Sequence, residues 1–175
     1  MSIDNYLRLP LPLRAGKMSL TFPLSEKQRS IWGLMWRGLS PAEISEKLGT
    51  SRQYVHQVLL TAESKISRTL MDVAQSASLQ IKRIDSKNGI LLAYDPALSS
   101  NVIITYTNKN GVRIWHWYEK IEDIKDVSYI NEVRAYLFNE AEERGIKLTI
   151  DEKRMHPAEL AHVIFSKLIS GVEKA

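Results

Sequence analysis

Ser40-Pro41-Ala42-Glu43-Ile44-Ser45-Glu46-Lys47-Leu48-Gly49-Thr50-Ser51-Arg52-Gln53-Tyr54-Val55-His56-Gln57-Val58 is the stretch on which the reading of the fold turns. Ser40 suits an N-cap, Pro41 suits a first helical position, and Glu43 stands where it completes a capping box. Leu39 and Ile44 have the spacing of a hydrophobic staple across that start. Ile44 and Leu48 give the short helix one apolar edge, Ser45 keeps its crossing point small, and Gly49 ends it where a tight turn needs positive φ. Ser51 then caps a further helix. Its apolar stripe of Val55, Val58, Leu59, Ala62, Ile66, Leu70 and Val73 runs to about Gln75, which predicts a rod of roughly 36 Å.

Upstream, Ser25 and Gln28 have capping-box spacing, and Ile31, Leu34 and Met35 recur at helical intervals until Gly38. Three helices result, and Ile44, Leu48, Gly49, Val55 and Val58 fall at the spacings of a helix-turn-helix. Such a motif sets the first turns of its second helix into the DNA major groove. Arg52, Gln53, His56 and Gln57 point away from the apolar stripe, with Ser51 and Tyr54 on its flanks. Arg grips guanine O6 and N7, Gln grips adenine, and Ser, Tyr or His holds phosphate or water. Lys27, Arg29 and Arg37 are expected at phosphates by the same logic. The competing reading is a solvated face on a plain three-helix docking bundle.

The chain has 175 residues, 44% apolar and 25% charged, enough for one domain or two small ones. No run approaches the roughly 18 apolar residues of a membrane span, and Leu7, Leu9, Leu11 and Leu13 alternate with Arg8, Pro10 and Pro12 instead of forming a signal peptide. The absence of cysteine excludes disulfides, thiol nucleophiles and cysteine metal sites and fits a cytoplasmic location. Residues 1–75 carry 10 Lys and Arg against 6 Asp and Glu, whereas residues 76–175 carry 14 of each. The whole net charge of +4 therefore lies with the first half, an excess that suits a polyanion such as DNA, although most charged faces are simply solvated.

The residues Leu20-Thr21-Phe22, Ser25-Glu26-Lys27-Gln28, Gly38-Leu39-Ser40, Glu43-Ile44, Leu48-Gly49-Thr50-Ser51-Arg52 and Val55 resemble the helix-turn-helix of archaeal Tfx-type DNA-binding proteins. More broadly they resemble LuxR-type and sigma region 4 domains. Asn139-Glu140-Ala141-Glu142-Glu143-Arg144-Gly145-Ile146-Lys147-Leu148, followed by Pro157-Ala158-Glu159-Leu160, is similar to the C-terminal part of the Tfx family. The leader Met1 to Lys17 and much of 78–107 have no counterpart. The resemblance implies a sequence-specific transcription regulator whose recognition positions correspond to Ser51, Arg52, Gln53, His56 and Gln57.

Residues 1–19 read as an extended leader, because Pro10 and Pro12 forbid a regular helix. Arg8, Arg14 and Lys17 suit a minor-groove arm, and the leucines suit docking on the same domain or on a partner subunit. Beyond a junction at Ser76-Ala77-Ser78, Asn88-Gly89 and Asn110-Gly111 are type I′ turn signals. They predict hairpins of 79–84 with 90–94 and of 102–107 with 112–118, linked through Asp95-Pro96 to Ser100. With the second turn setting the register, Tyr106 opposes Trp115 and Ile104 opposes Trp117, so one face carries an aromatic cluster beside Arg113. The expected use is core or subunit interface, and the alternative is a small-ligand surface.

A helix capped at Ser128, with Ile130, Val133, Leu137 and Ala141 on one face, is expected to stop at Gly145. Ile146, Leu148 and Ile150 alternate as a strand, Asp151-Glu152 reads as a loop, and Pro157 opens a last helix with Leu160, Val163, Ile164 and Leu168 inside. Glu140, Glu142 and Glu143 read as a solvated run. His56, His116, His156 and His162 lack metal-site spacing, and no P-loop, Gly-x-Gly-x-x-Gly or nucleophile elbow is present. No metal, cofactor or enzyme activity is expected.

The sequence thus predicts an α+β chain with three parts: the leader 1–19, a helix-turn-helix domain over 20–75, and a dimerisation or effector domain over 78–175. The expected function is a double-stranded-DNA-binding transcription regulator; the alternative is a protein-interaction module or ligand sensor. A homodimer is expected, because half-sites come in pairs and the stripe reaching Leu70 and Val73 exceeds what the three-helix head requires. The partner of the second domain is expected to be a second copy, a small molecule or another protein.

Overall fold

The computed structural model describes residues 22–116 and 127–172, so the leader, Trp117 and Tyr118 lie outside the described residues. Three helices come first, α1 (Glu26–Trp36), α2 (Pro41–Leu48) and α3 (Arg52–Ser76). Four strands follow, β1 (Gln80–Asp85), β2 (Ile90–Asp95), β3 (Ser100–Thr107) and β4 (Gly111–His116). Then come α4 (Val127–Glu143), the short α5 (Ile150–Arg154) and α6 (Pro157–Val172). The strands form one antiparallel meander in the order β1-β2-β3-β4. The architecture is α+β, with helices on both faces of the sheet.

Local chemistry places the first three helices where the sequence puts them. Ser25 and Ser40 each accept the N3 backbone N–H while Gln28 and Glu43 return the bond to the cap backbone, and Ser51 accepts the N–H of Tyr54 at 3.1 Å. Ile31, Ile44 and Val55 form a small buried core where the three helices meet, with Leu39 packed against it. Leu48 is not part of that core: it is 42% exposed, since α2 ends there and its side chain faces solvent past the contact.

The 25 residues of α3 span about 37 Å, and its two halves do different work. The first turns join α1 and α2. From Ala62 on, Ile66, Leu70 and Ala74 lie on the sheet and share one core with Trp32, Leu91, Ala93, Val102, Ile104, Tyr106 and Val112. The chain turns at Ala77 and Ser78, but the core runs straight across that junction. Leu70 and Val73, expected to be surplus to the head, are consumed by the molecule's own sheet.

On the opposite face, Ile90, Ile103 and Trp115 meet Val133, Leu137 and Ala141 of α4 and Leu160, Ala161, Ile164 and Phe165 of α6. The two faces overturn the expected aromatic cluster. Tyr106 pairs with Val112, Ile103 with Trp115 and Ile104 with Ile114, so Tyr106 and Trp115 stand on opposite sides of the sheet. The cause is the turn. A type I′ turn needs positive φ at both central residues, yet of Asn110 and Gly111 only Gly111 has it, at 66°. The loop therefore takes three residues, Asn108 to Asn110, with Gly111 left-handed at the strand start. The register shifts by three, and an odd shift exchanges the faces. Asn110 stays buried because its amide donates to Tyr136 O, accepts from Asn139, and its N–H reaches Thr107 Oγ1.

Three further expectations fail for local reasons. Residues 146–149 form no strand, and Ile150, Asp151 and Glu152 open α5. Thr149 and Glu152 make a reciprocal capping box there, which outweighs the alternation of Ile146, Leu148 and Ile150, and Ile150 is 71% exposed. Ser128 is not a cap, since α4 already includes Val127. Glu140 and Glu143 are not solvated; only Glu142 of the three is exposed.

Glu140 and Arg144 instead form a buried clamp between layers. Arg144 Nε donates to Glu140 Oε2 at 3.0 Å, with the two side chains 4% and 0% exposed. Its other nitrogens donate to the carbonyls of Asn88, Gly89 and Tyr106, and its guanidinium stacks 4.8 Å from the Trp36 ring centroid. The other carboxylate oxygen of Glu140 accepts from Thr105 Oγ1 at 2.7 Å, and Thr105 accepts from Trp115 Nε1 at 2.8 Å.

Two stability predictions follow from these contacts. Trp115, 1% exposed and 5.2 Å from the Phe165 ring, should cost about 3–5 kcal/mol when replaced by alanine; a Trp115→Ala protein that melts with the parent would show that the ring is not core. Arg144→Met should cost about 3–5 kcal/mol by stranding the Glu140 carboxylate. Urea unfolding of R144M, E140L and the double variant should then give a coupling energy of about 1 kcal/mol or more, and additive losses would dissolve the clamp.

Candidate nucleic-acid interface

The first turns of α3 present Arg52, Gln53, His56 and Gln57 as a continuous exposed stripe, because positions i, i+1, i+4 and i+5 share one side of a helix. Val55 on the other side is fully buried against α1 and α2, so the stripe cannot rotate without breaking that core. The turn that aims it is set by Gly49, whose φ is +61° and where a Cβ would meet nothing within 4 Å. Conformation alone, not space, calls for glycine there. Thr50 N–H closes the turn onto Ser45 O at 3.0 Å.

The electrostatics of this helix end differ from those of its neighbours. The first turns of α1 and α2 carry Glu26 and Glu43, whereas α3 carries no acid in its first turn. Glu43 is further held below the usual carboxylate range by its hydrogen bonds to Ser40, which keeps that charge at its own cap. The free N–H groups and the positive end of the α3 dipole therefore face outward with Arg52 and no local anion. Among the described residues Arg52 has no carboxylate partner.

Tyr54 sits half-buried on the flank, with Lys27 Nζ 4.7 Å from its ring centroid. Tyr54, Lys27, Leu48 and Thr50 line a shallow concavity of about 560 Å³ beside the start of α3. Lys27 is thus next to the first turns of α3. Lys65, which the sequence reading passed over, reaches from α3 to Gln28 Oε1 at 3.1 Å and ties α1 to the same helix.

The other expected cations lie elsewhere. Arg37 follows the last residue of α1, and Arg29 turns towards the Phe22 ring, 5.8 Å from its centroid; both line a separate pocket facing α4. Of the hairpin residues, Arg113 and Trp115 share one face of β4 while Tyr106 stands on the other. The Tyr106 hydroxyl donates to Asn108 Oδ1 at 2.9 Å, and burial, reinforced by Glu143, pushes its pKa far up. The Arg113 guanidinium stacks on Tyr136 at 3.9 Å, under α4 and away from Tyr106. Glu143 accepts the backbone N–H groups of Asn108 and Lys109, a bracing of the β3–β4 loop that Lys109-Asn110-Gly111 announced only as a turn signal.

Among the described residues no group of three His, Asp or Glu side chains has the geometry to hold a metal ion, and no helix is long and apolar enough to cross a membrane. In comparisons with known proteins, no family model, no curated protein and no solved structure matches the chain.

Proposed function

We propose that the chain is a sequence-specific double-stranded DNA-binding transcription regulator that reads the major groove with the first turns of α3. The observation that carries this reading is the exposed stripe of Arg52, Gln53, His56 and Gln57, rigidly seated on Val55, at a helix N-terminus free of acids. Arg52 and the two glutamines supply bidentate contacts to guanine and adenine. Ser51, Tyr54 and Lys27 flank the stripe as phosphate partners. The charge excess of residues 1–75 and the resemblance to archaeal Tfx-type proteins support the same reading. Two copies on half-sites about one helical turn apart supply the length of sequence that one motif cannot read.

Selection from random duplexes should recover a preferred site. On it, alanine at Arg52, Gln53 or Gln57 should cost about 1–3 kcal/mol and relax base preference at one position each. Lys27→Ala should weaken every duplex alike and lower the salt slope by about one. Uniform, salt-sensitive affinity with no change in preference across the three recognition variants would replace the proposal with a docking bundle. Sedimentation with the selected duplex tests the stoichiometry, and one copy per full palindromic site would overturn the dimer.

A further inference from the structure

A cavity of about 280 Å³ opens between α1, the loop joining β3 to β4, and the end of α4. Arg29 and Gly33 on α1 and Arg37 at its C-cap recur at four-residue intervals and so lie on one side of the helix. Gly33 leaves the space between the two arginines open: a Cβ there would meet only Asn108 Nδ2, at 3.4 Å. Across the cavity, Asn108 Nδ2 donates to Arg29 O at 3.1 Å and holds the loop against the helix.

The charges on the walls do not balance locally. Glu142 is taken by Lys109 Nζ at 2.7 Å, and that contact, above all others, holds its carboxyl below the usual range. The two carboxylate oxygens of Glu143 accept the backbone N–H groups of Asn108 and Lys109 at 2.7 and 2.6 Å. Both acids are hydrogen-bonded to the loop, and Arg37 lies near enough to Glu142 to help lower its pKa. Among the described residues, neither the Arg29 nor the Arg37 guanidinium has a hydrogen-bonded carboxylate. Arg29 and Arg37 line a concave space together with Gly33 and Lys109, the Arg29 guanidinium also lying 5.8 Å from the Phe22 ring centroid.

We infer that this cavity is a binding site for a small organic anion bearing two acidic groups, a diacid or a carboxylate with a phosphomonoester, one acid held by Arg29 and the other by Arg37. Guanidinium forks match carboxylate and phosphate bidentately, and the two Cα positions, about 12 Å apart along the helix, suit a ligand with separated acids better than a single inorganic ion. The occupant would touch α1, the β3–β4 loop and α4 at once, and α1 contributes Ile31 to the core beneath the start of α3. The site is independent of the DNA reading, since it needs only the walls described.

Calorimetric titration of the full chain with succinate and with phosphoglycolate, against acetate as the single-acid control, tests it. A dissociation constant of about 1 mM or below is expected for at least one two-acid probe, with acetate at least about tenfold weaker. Arg29→Gln and Arg37→Gln should each weaken the two-acid probe about tenfold or more with the melting temperature unchanged, and Lys47→Gln on α2 should leave it as in the parent. Failure of both two-acid probes to bind, or equal binding by R29Q, R37Q and the parent, would overturn the site. So would loss of duplex affinity in both arginine variants with the anion titration unmoved, which would assign these side chains to the DNA backbone.

Discussion

The Glu140–Arg144 clamp is the interaction on which the three layers depend. One guanidinium just past the end of α4 satisfies a buried carboxylate, two carbonyls of the β1–β2 turn, the carbonyl of Tyr106 and the face of Trp36 on α1. Few other side chains can do this, because arginine offers five donors in a fixed plane. A charge pair so deeply buried is worth little as net stability, but losing either partner is expensive. Its contribution is specificity of assembly: α4, the sheet and α1 have one mutual arrangement in which every polar atom of the clamp is answered. Trp36 Nε1, bonded to Lys87 O at 3.0 Å, extends the same logic to the far side of the turn.

This arrangement sets how the first three helices are held. They are not a head on a tether. The rear half of α3 is a layer of the sheet's core, and the front half carries the exposed polar stripe, so the orientation of that stripe is inherited from the sheet through one continuous helix. Because α1 touches both the small core beneath Val55 and the clamp through Trp36, any change at the α1–α4 junction is mechanically adjacent to the proposed reading surface. Rigid support of this kind suits recognition by side chains held in register with base edges, since little ordering remains to be done on binding.

The hairpin shows where pattern reading meets its limit. Asn110-Gly111 looks like a two-residue turn because only a short-range signal is visible in it. In the folded chain Asn110 finds Tyr136 O and Asn139 on α4, and these partners lie 26 and 29 residues away. Glu143 ties down the amides of Asn108 and Lys109 from the same helix. A loop braced at so many points by α4 takes the length that α4 allows, and the three-residue change in register sends Tyr106 and Trp115 to different faces.

What the sequence determined by itself was governed by neighbours within a few residues, although the local capping box of Thr149 and Glu152 was masked by the alternation of Ile146, Leu148 and Ile150. The caps at Ser25, Ser40 and Ser51, the left-handed turn at Gly49, the extent of α3 and the exposed stripe from Arg52 to Gln57 are local hydrogen bonding and helical periodicity. The four-stranded meander was legible from alternation, but neither Asn-Gly pair makes the expected type I′ turn: Gly89 and Gly111 are left-handed while Asn88 and Asn110 are not, and the β1–β2 loop takes four residues, Ser86 to Gly89. Only the tertiary structure decided which face each aromatic ring occupies, that Leu70 and Val73 are covered by the chain's own sheet, and that Glu140 is buried while Glu142 is not. Burial of a charged side chain depends on a partner supplied from elsewhere in the fold. Nothing in the spacing of Glu140 and Arg144 reveals Thr105, Tyr106 or Asn88, because contacts across layers carry no period along the chain.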